Sequence, residues 1–133
     1  MILDDKQVYE LLERAHVVAI VGLSPEEGKA SNGVARYLKR EGYRIIPVNP
    51  KITEALGEKA YPSLAEIPVP VDVVQIFRRS EDVPPVVEDA IAIGAKVVWM
   101  QSGIINEEAA ARAEAAGLKV VMDACMREEH RAL

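Results

Sequence analysis

A single cysteine, Cys125, is all the thiol this chain carries. No disulfide can therefore form within it, and a reducing, cytoplasmic setting is expected. No apolar run approaches the length of a membrane span, so no membrane partner is expected. The opening residues, MILDD, lack a positive segment followed by an apolar stretch, so no signal peptide is expected. Positive charge is not in excess either. Sixteen Lys and Arg against 21 Asp and Glu leave a net charge of −5, and bulk electrostatics argue against nucleic acid. There are two histidines, His16 and His130, with no metal-ligand spacing and no nucleophile–base motif around them. Internal repeats and low-complexity segments are absent. What is present is 133 residues, half of them hydrophobic and 28% charged with both signs mixed. That is the composition of one folded domain, residues 1–133.

Five apolar, β-branched runs stand out, at residues 17–21, 44–48, 71–77, 96–100 and 118–122. Each is nearly continuous rather than alternating, as strands covered on both faces are in parallel sheets. Helical patterns lie between them. Val8, Leu11, Leu12 and Ala15 form an amphipathic leader helix, capped by Asp4 or Asp5. Val34, Tyr37 and Leu38 mark a helix over residues 32–41, with Ser31 and Asn32 as capping candidates and Gly42 as its stop. Val86, Val87, Ala90 and Ile91 make another, closed by Gly94. Ala109, Ala113 and Ala116 make the last, with Asn106 as N-cap and Gly117 as stop. Residues 51–70 have weak periodicity and several prolines, and read as an irregular crossover with one short helix. Pro47 is awkward inside a central strand and is expected at the strand's C-terminal end.

The order predicts an α/β fold, a Rossmann-like, doubly wound five-stranded parallel sheet with helices on both faces. The simplest strand order is 3-2-1-4-5. Ligands of such sheets sit outside the carboxyl ends of the strands, where the winding reverses. On that order the loops after the first and fourth strands are central, with those after the second and third beside them.

Four loops therefore carry the candidate residues. The first, from Gly22 through Leu23, Ser24 and Lys29 to Gly33, follows a strand and enters a helix, an arrangement that cradles phosphate. Its glycine spacing is neither G-x-G-x-x-G nor a Walker A motif. The second loop holds Asn49, Pro50 and Lys51, where NAD-binding folds place a carboxylate for the ribose. An ammonium there favours a phosphorylated adenosine, as in NADP or coenzyme A. The third holds Phe77, Arg78, Arg79 and Ser80; arginine stacks on purines and grips phosphate, although pairing with Glu81 or Asp82 competes with that use. The fourth, Met100, Gln101, Ser102 and Gly103, is neutral and suits an amide-bearing arm such as pantetheine. Trp99 beside it reads as core.

Six stretches together resemble the CoA-binding domain family: residues 19–24 (AIVGLS), 42–51 (GYRIIPVNPK), 60–64 (AYPSL), 71–80 (VDVVQIFRRS), 92–101 (AIGAKVVWMQ) and Met122-Asp123 with Cys125. The chain is similar to the small stand-alone members, and to the N-terminal domain of the succinyl-CoA synthetase alpha subunit. The resemblance implies a Rossmann-like fold binding coenzyme A. It puts Ser24 and its neighbours at the pyrophosphate, Lys51 at a nucleotide phosphate, Phe77 to Ser80 beside the adenosine, and Met100, Gln101 and Ser102 along the pantetheine. Ala124 departs from the pattern, since these members commonly carry arginine between Asp123 and Cys125. Residues 25–29 also differ in spacing from the synthetase.

The synthetase's phosphorylated histidine sits on a second domain, which is not expected in this chain. His16 precedes the first strand, on the wrong side of the sheet, and His130 lies in the tail. Cys125 reads as packing. The expectation is a module that binds coenzyme A or an acyl-CoA without chemistry of its own, as a carrier, sensor or partner domain. An NADP-dependent reductase or acyl-CoA-handling enzyme is the alternative. A third reading makes the chain an interaction protein, with the leader helix and the alanine-rich helix forming a face for a homo-oligomer or partner protein.

Overall fold

The computed structural model describes residues 3–133. Helix α1 (Asp5–Arg14) leads into β1 (Val17–Val21), α2 (Ala30–Arg40) and β2 (Arg44–Val48). A small hairpin follows, β3 (Glu54–Ala55) and β4 (Glu58–Lys59). Then come β5 (Val73–Ile76), α3 (Val83–Ala92), β6 (Val97–Met100), α4 (Glu107–Ala115), β7 (Lys119–Val121) and α5 (Met126–Arg131). Short 3-10 turns at Leu64–Glu66 and Ser80–Asp82 punctuate the connections. The crossover read as irregular thus holds a hairpin and one 3-10 turn. The tail forms a short helix that periodicity did not announce.

All five long strands are parallel and pair in the order β2-β1-β5-β6-β7. Their interior positions are buried on both faces, which explains the unbroken apolar runs. One core lies between the sheet and α1, α2 and α5, and includes Leu12, Ile20, Leu38 and Trp99. The other lies against α3 and α4, and includes Val74, Ile76, Val87 and Ala113. The doubly wound, five-stranded class stands as expected. The order does not: counting the five parallel strands along the chain it is 2-1-3-4-5, not 3-2-1-4-5. The third strand, β5, crosses β1 instead of extending the sheet beyond β2.

Pro47 carries the physical reason. Along β2, Arg44 donates to His16 and Val48 accepts from Gly22, so the even-numbered residues bond to β1. Pro47, one residue out of phase, turns its missing N–H away from β1 and its carbonyl towards Tyr61 N at 3.0 Å. An edge strand tolerates this and a strand flanked on both sides would not. Pro47 lies inside β2, in its penultimate position.

Helix ends follow local chemistry. Asp4 caps α1, accepting from Gln7 N at 2.8 Å while the Gln7 side chain accepts from Asp4 N at 3.0 Å. Asn106 caps α4 by accepting from Ala109 N. Ser31 and Asn32 do not cap α2, which starts earlier, at Ala30, with Lys29 as an N-cap lacking any side-chain bond. The buried faces of α1 (Val8, Leu11, Leu12) and α4 (Ala109, Ala110, Ala113) pack within this chain. Under α1, the Tyr43 hydroxyl donates to the Leu12 carbonyl. Burial, with Tyr37 and Glu41 nearby, pushes its pKa up to about 12.

Candidate functional site

The winding reverses between β1 and β5. The central loops are therefore those after the first and third parallel strands, and not the first and fourth. Across the carboxyl edge the four candidate loops stand in a row: Lys51's, Gly22's, Arg78's and Ser102's. At about 4.8 Å per strand the row spans roughly 15 Å.

At the reversal the backbones touch. Gly22 has φ +90°, and a Cβ there would fall 2.3 Å from the Phe77 carbonyl oxygen and 3.4 Å from Arg78 Nη1. Only glycine fits this position. The Arg78 guanidinium thus lies against the first turn of the phosphate-type loop. It is partly buried and makes no hydrogen bond or ion pair among the described residues. Arg79 differs: it is exposed and held by Glu81 and Asp82, each at 3.2 Å.

The helix after Gly22 is tied down from within. Ser31 Oγ accepts from Ser24 N at 3.0 Å, and Asn32 Nδ2 donates to the Ser24 carbonyl at 3.0 Å. The two residues expected as caps instead reach back from inside α2 and fix the loop. The Ser24 hydroxyl accepts from Glu26 N. The backbone N–H groups of Ala30, Ser31 and Asn32 have no partner among the described residues, which is the open donor set of a helix N-terminus. Lys29 is exposed and meets Glu26 only at 4.0 Å.

Asn49 joins the second loop to the first: its Nδ2 donates to the Leu23 carbonyl at 3.1 Å, and its Oδ1 accepts from Lys51 N at 3.0 Å. Pro50 and Lys51 are exposed, and the Lys51 ammonium has no partner among the described residues. Ser80 ties the third loop to the fourth, accepting from Ile105 N at 3.0 Å through its hydroxyl and from Asn106 Nδ2 through its carbonyl. Phe77 is half-buried against the α2-side core.

Three candidates face inward instead of towards a ligand. Leu23 and Met100 are wholly buried. Gln101 Oε1 accepts from Gln75 Nε2 and from Met126 N, both at 2.9 Å, so its amide joins two strands to α5. Ser102 and Gly103 are exposed, and Gly103 N is held by Asp123 at 2.6 Å. Sequence reasoning passed over Gln75, a fully buried polar residue whose Oε1 has no partner. A glutamine inside an apolar run was the available signal.

The remaining reactive residues are accounted for. Trp99 is core, with Nε1 donating to the Ala124 carbonyl at 2.8 Å. His130 Nδ1 lies 2.7 Å from the Tyr37 hydroxyl. His16 lies at the opposite edge, where its N–H bonds Asp72. Cys125 is half-buried beside the α2-side core. No cluster of three or more His, Cys, Asp or Glu suited to a metal occurs among the described residues.

A family model described as a CoA binding domain matches residues 16–131. The chain belongs to the CoA-binding domain family. Coenzyme A is the ligand that this membership gives it. An uncharacterized Bacillus subtilis protein, YneT, is 44% identical over 93% of this chain and 92% of its own. The structure of a hypothetical protein from Pyrococcus horikoshii OT3 superposes with a TM-score of 0.96 at 44% identity, over 98% of this chain and 92% of that one. An ADP-forming acetate–CoA ligase of Archaeoglobus fulgidus is 33% identical over 83% of this chain, which spans only 18% of that enzyme. The chain thus has small relatives of its own size and also matches one part of much larger ligases.

The strand order bears on how coenzyme A would lie. With 3-2-1-4-5, residues 77–80 would stand beyond Lys51, at the adenosine end. The observed order moves them between the Gly22 loop and the Ser102 loop. Arg78 therefore stands beside the Gly22 loop and not beside Lys51.

Proposed function

We propose that the chain holds coenzyme A or an acyl-CoA across the carboxyl edge of its sheet, as a carrier, sensor or partner module without chemistry of its own. The carrying observation is the unpaired Arg78 guanidinium lying against Gly22, the first residue of the loop that leads to three open amides at the start of α2. A partly buried cation without a counter-charge, on a loop that runs into a helix N-terminus, is arranged for an anion. In this reading Gly22, Leu23 and Ser24 form the floor under the pyrophosphate, the open amides of Ala30, Ser31 and Asn32 donate to it, and Arg78 and Lys29 supply charge. Lys51, beside Asn49 and Pro50, takes the nucleotide phosphate. Phe77, Arg79 and Ser80 form the wall between the pyrophosphate and the far arm, and Ser102 and Gly103 receive the pantetheine. Met100 and Gln101 act beneath them, as support. The order of charges along the edge matches the ligand: phosphate, pyrophosphate, then a neutral amide arm.

The absence of chemistry rests on what surrounds the edge. The acyl or thiol end would come to Ser102, Gly103 and the Cys125 turn. No cluster of three or more His, Cys, Asp or Glu suited to a metal occurs among the described residues, and His130 is engaged with Tyr37 and Asp123 with Gly103. Calorimetry with coenzyme A, dephospho-CoA and NADP tests the reading. Coenzyme A should bind in the micromolar range and dephospho-CoA more weakly. Lys51→Ala should lower affinity for coenzyme A by about three- to tenfold and leave dephospho-CoA unchanged, the size expected of an exposed charge contact. Absence of coenzyme A binding at high micromolar concentration would overturn it.

A further inference from the structure

A cavity lies at the other end of the sheet. It measures about 590 Å³, within the range of small-molecule sites. The amino ends of β5, β6 and β7 form its base, with the end of α1 on one side and the last turns of α3 and α4 on the other. Its wall is mostly apolar, including Leu11, Val73, Ile91 and Leu118.

Three cations and one carboxylate complete the lining: Arg14, Lys96, Lys119 and Asp72. Asp72 is fully engaged. It accepts from His16 N and Val17 N, each at 2.9 Å, and Lys96 Nζ lies 3.4 Å from its other oxygen. That leaves Arg14 and Lys119, neither of which has a hydrogen-bond or ion-pair partner for its side chain among the described residues. Complementing helix C-termini is the ordinary use of such residues. Here the helix ends close themselves: Ala95 N bonds Ala90 O and Leu118 N bonds Ala113 O, across Gly94 and Gly117 with φ of +72° and +91°. Arg14 lies in the last turn of α1, whose end is closed in turn by Ala15 N bonding Leu11 O, and no helix carbonyl is bonded by either cation among the described residues. The two cations stand over an apolar trough whose one carboxylate, Asp72, is already engaged by Lys96 and two amides.

We infer that this trough is a second binding site, for an amphipathic anion whose aliphatic tail lies on the apolar wall and whose head group sits between Arg14 and Lys119. It is separated from the coenzyme A edge by the length of the strands, so it does not depend on the reading of that edge.

Amide NMR titration of the intact chain, with and without saturating coenzyme A, tests the inference. Octanoate and octyl phosphate are the anionic probes and octylamine is the cationic control. Saturable shifts around residues 11–15, 94–97 and 116–119 are expected with an anion and not with the amine. Whichever anion binds more tightly identifies the head group, carboxylate or phosphate. Arg14→Ala with Lys119→Ala should weaken the anion roughly tenfold and leave coenzyme A binding unchanged. Both side chains are exposed, so the double variant should fold. The inference is overturned if the amine binds equally well, if no probe saturates, if the double variant binds as the parent does, or if the shifts fall on the carboxyl edge. It is also overturned if the same amides shift with protein concentration alone, which would mark the trough as a contact between copies.

Discussion

Arg78 and Arg79 are neighbours with identical side chains, and the fold gives them opposite environments. Arg79 has two carboxylates within 3.2 Å; Arg78 has none, and lies against a glycine where no side chain fits. Arg78→Ala should therefore weaken coenzyme A binding by about ten- to a hundredfold in calorimetry, the worth of charge-assisted contacts to an anion. Arg79→Ala should change it little. Gln101 calls for the opposite experiment. Replacing it with leucine removes the acceptor for both Gln75 Nε2 and Met126 N inside the core. Urea unfolding should show a loss of about 2–4 kcal/mol, since buried donors would be left unpaired. Gln75→Leu in the same chain should recover part of that loss by removing one stranded group. At this scale the sequence was a partial guide. The residue types of the edge were legible because they sit next to strand ends. Which arginine is free, and that Gln101 faces inward, depended on partners about 25 positions distant or on the loop's own carboxylates.

Among the elements, the strands were readable because burial on both faces leaves continuous apolar runs, and α1, α3 and α4 because their caps and stops are local. The strand order was not, since nothing in an apolar run names its neighbours. The irregular crossover also gave no helix from which to infer a direction. Pro47 did hold the information: a proline within a run that keeps pairing on one side belongs at a sheet edge. One tie between elements depends on pH. Asp72, just before β5, holds the N–H groups of His16 and Val17 where α1 passes into β1. Burial acts to raise its pKa, but the Val17 and His16 amides and the Lys96 ammonium outweigh it and hold the carboxyl below its ordinary value. A lowered folded-state value means that the charged form stabilises the fold. The contribution is complete above the unfolded value, about 3.9, and is lost as pH falls through the folded one. Asp72→Asn should then cost about 1–2 kcal/mol in urea unfolding at pH 7. The gap between variant and parent should close as the pH is lowered towards 3. A constant gap across that range would show that the carboxylate charge contributes nothing.

For the whole molecule, the reversal between β1 and β5 is also where the two windings meet. The α1, α2 and α5 layer lies on one face and the α3 and α4 layer on the other. A ligand lying along the row of loops would contact β2, β1, β5 and β6 together, and it would bind the unfolded chain nowhere. Its binding free energy then adds to the stability of the entire fold. At a coenzyme A concentration a hundred times its dissociation constant, the gain is about 2.7 kcal/mol. For a domain of this size that corresponds to a rise in melting temperature of roughly 8–13 °C. Dephospho-CoA at the same concentration should give a smaller rise, because it leaves the Lys51 end of the row unfilled. In the Lys51→Ala variant the two ligands should give equal shifts. If they remain unequal there, the nucleotide phosphate is held elsewhere on the edge, and Arg78 rather than Lys51 becomes the residue to test for it.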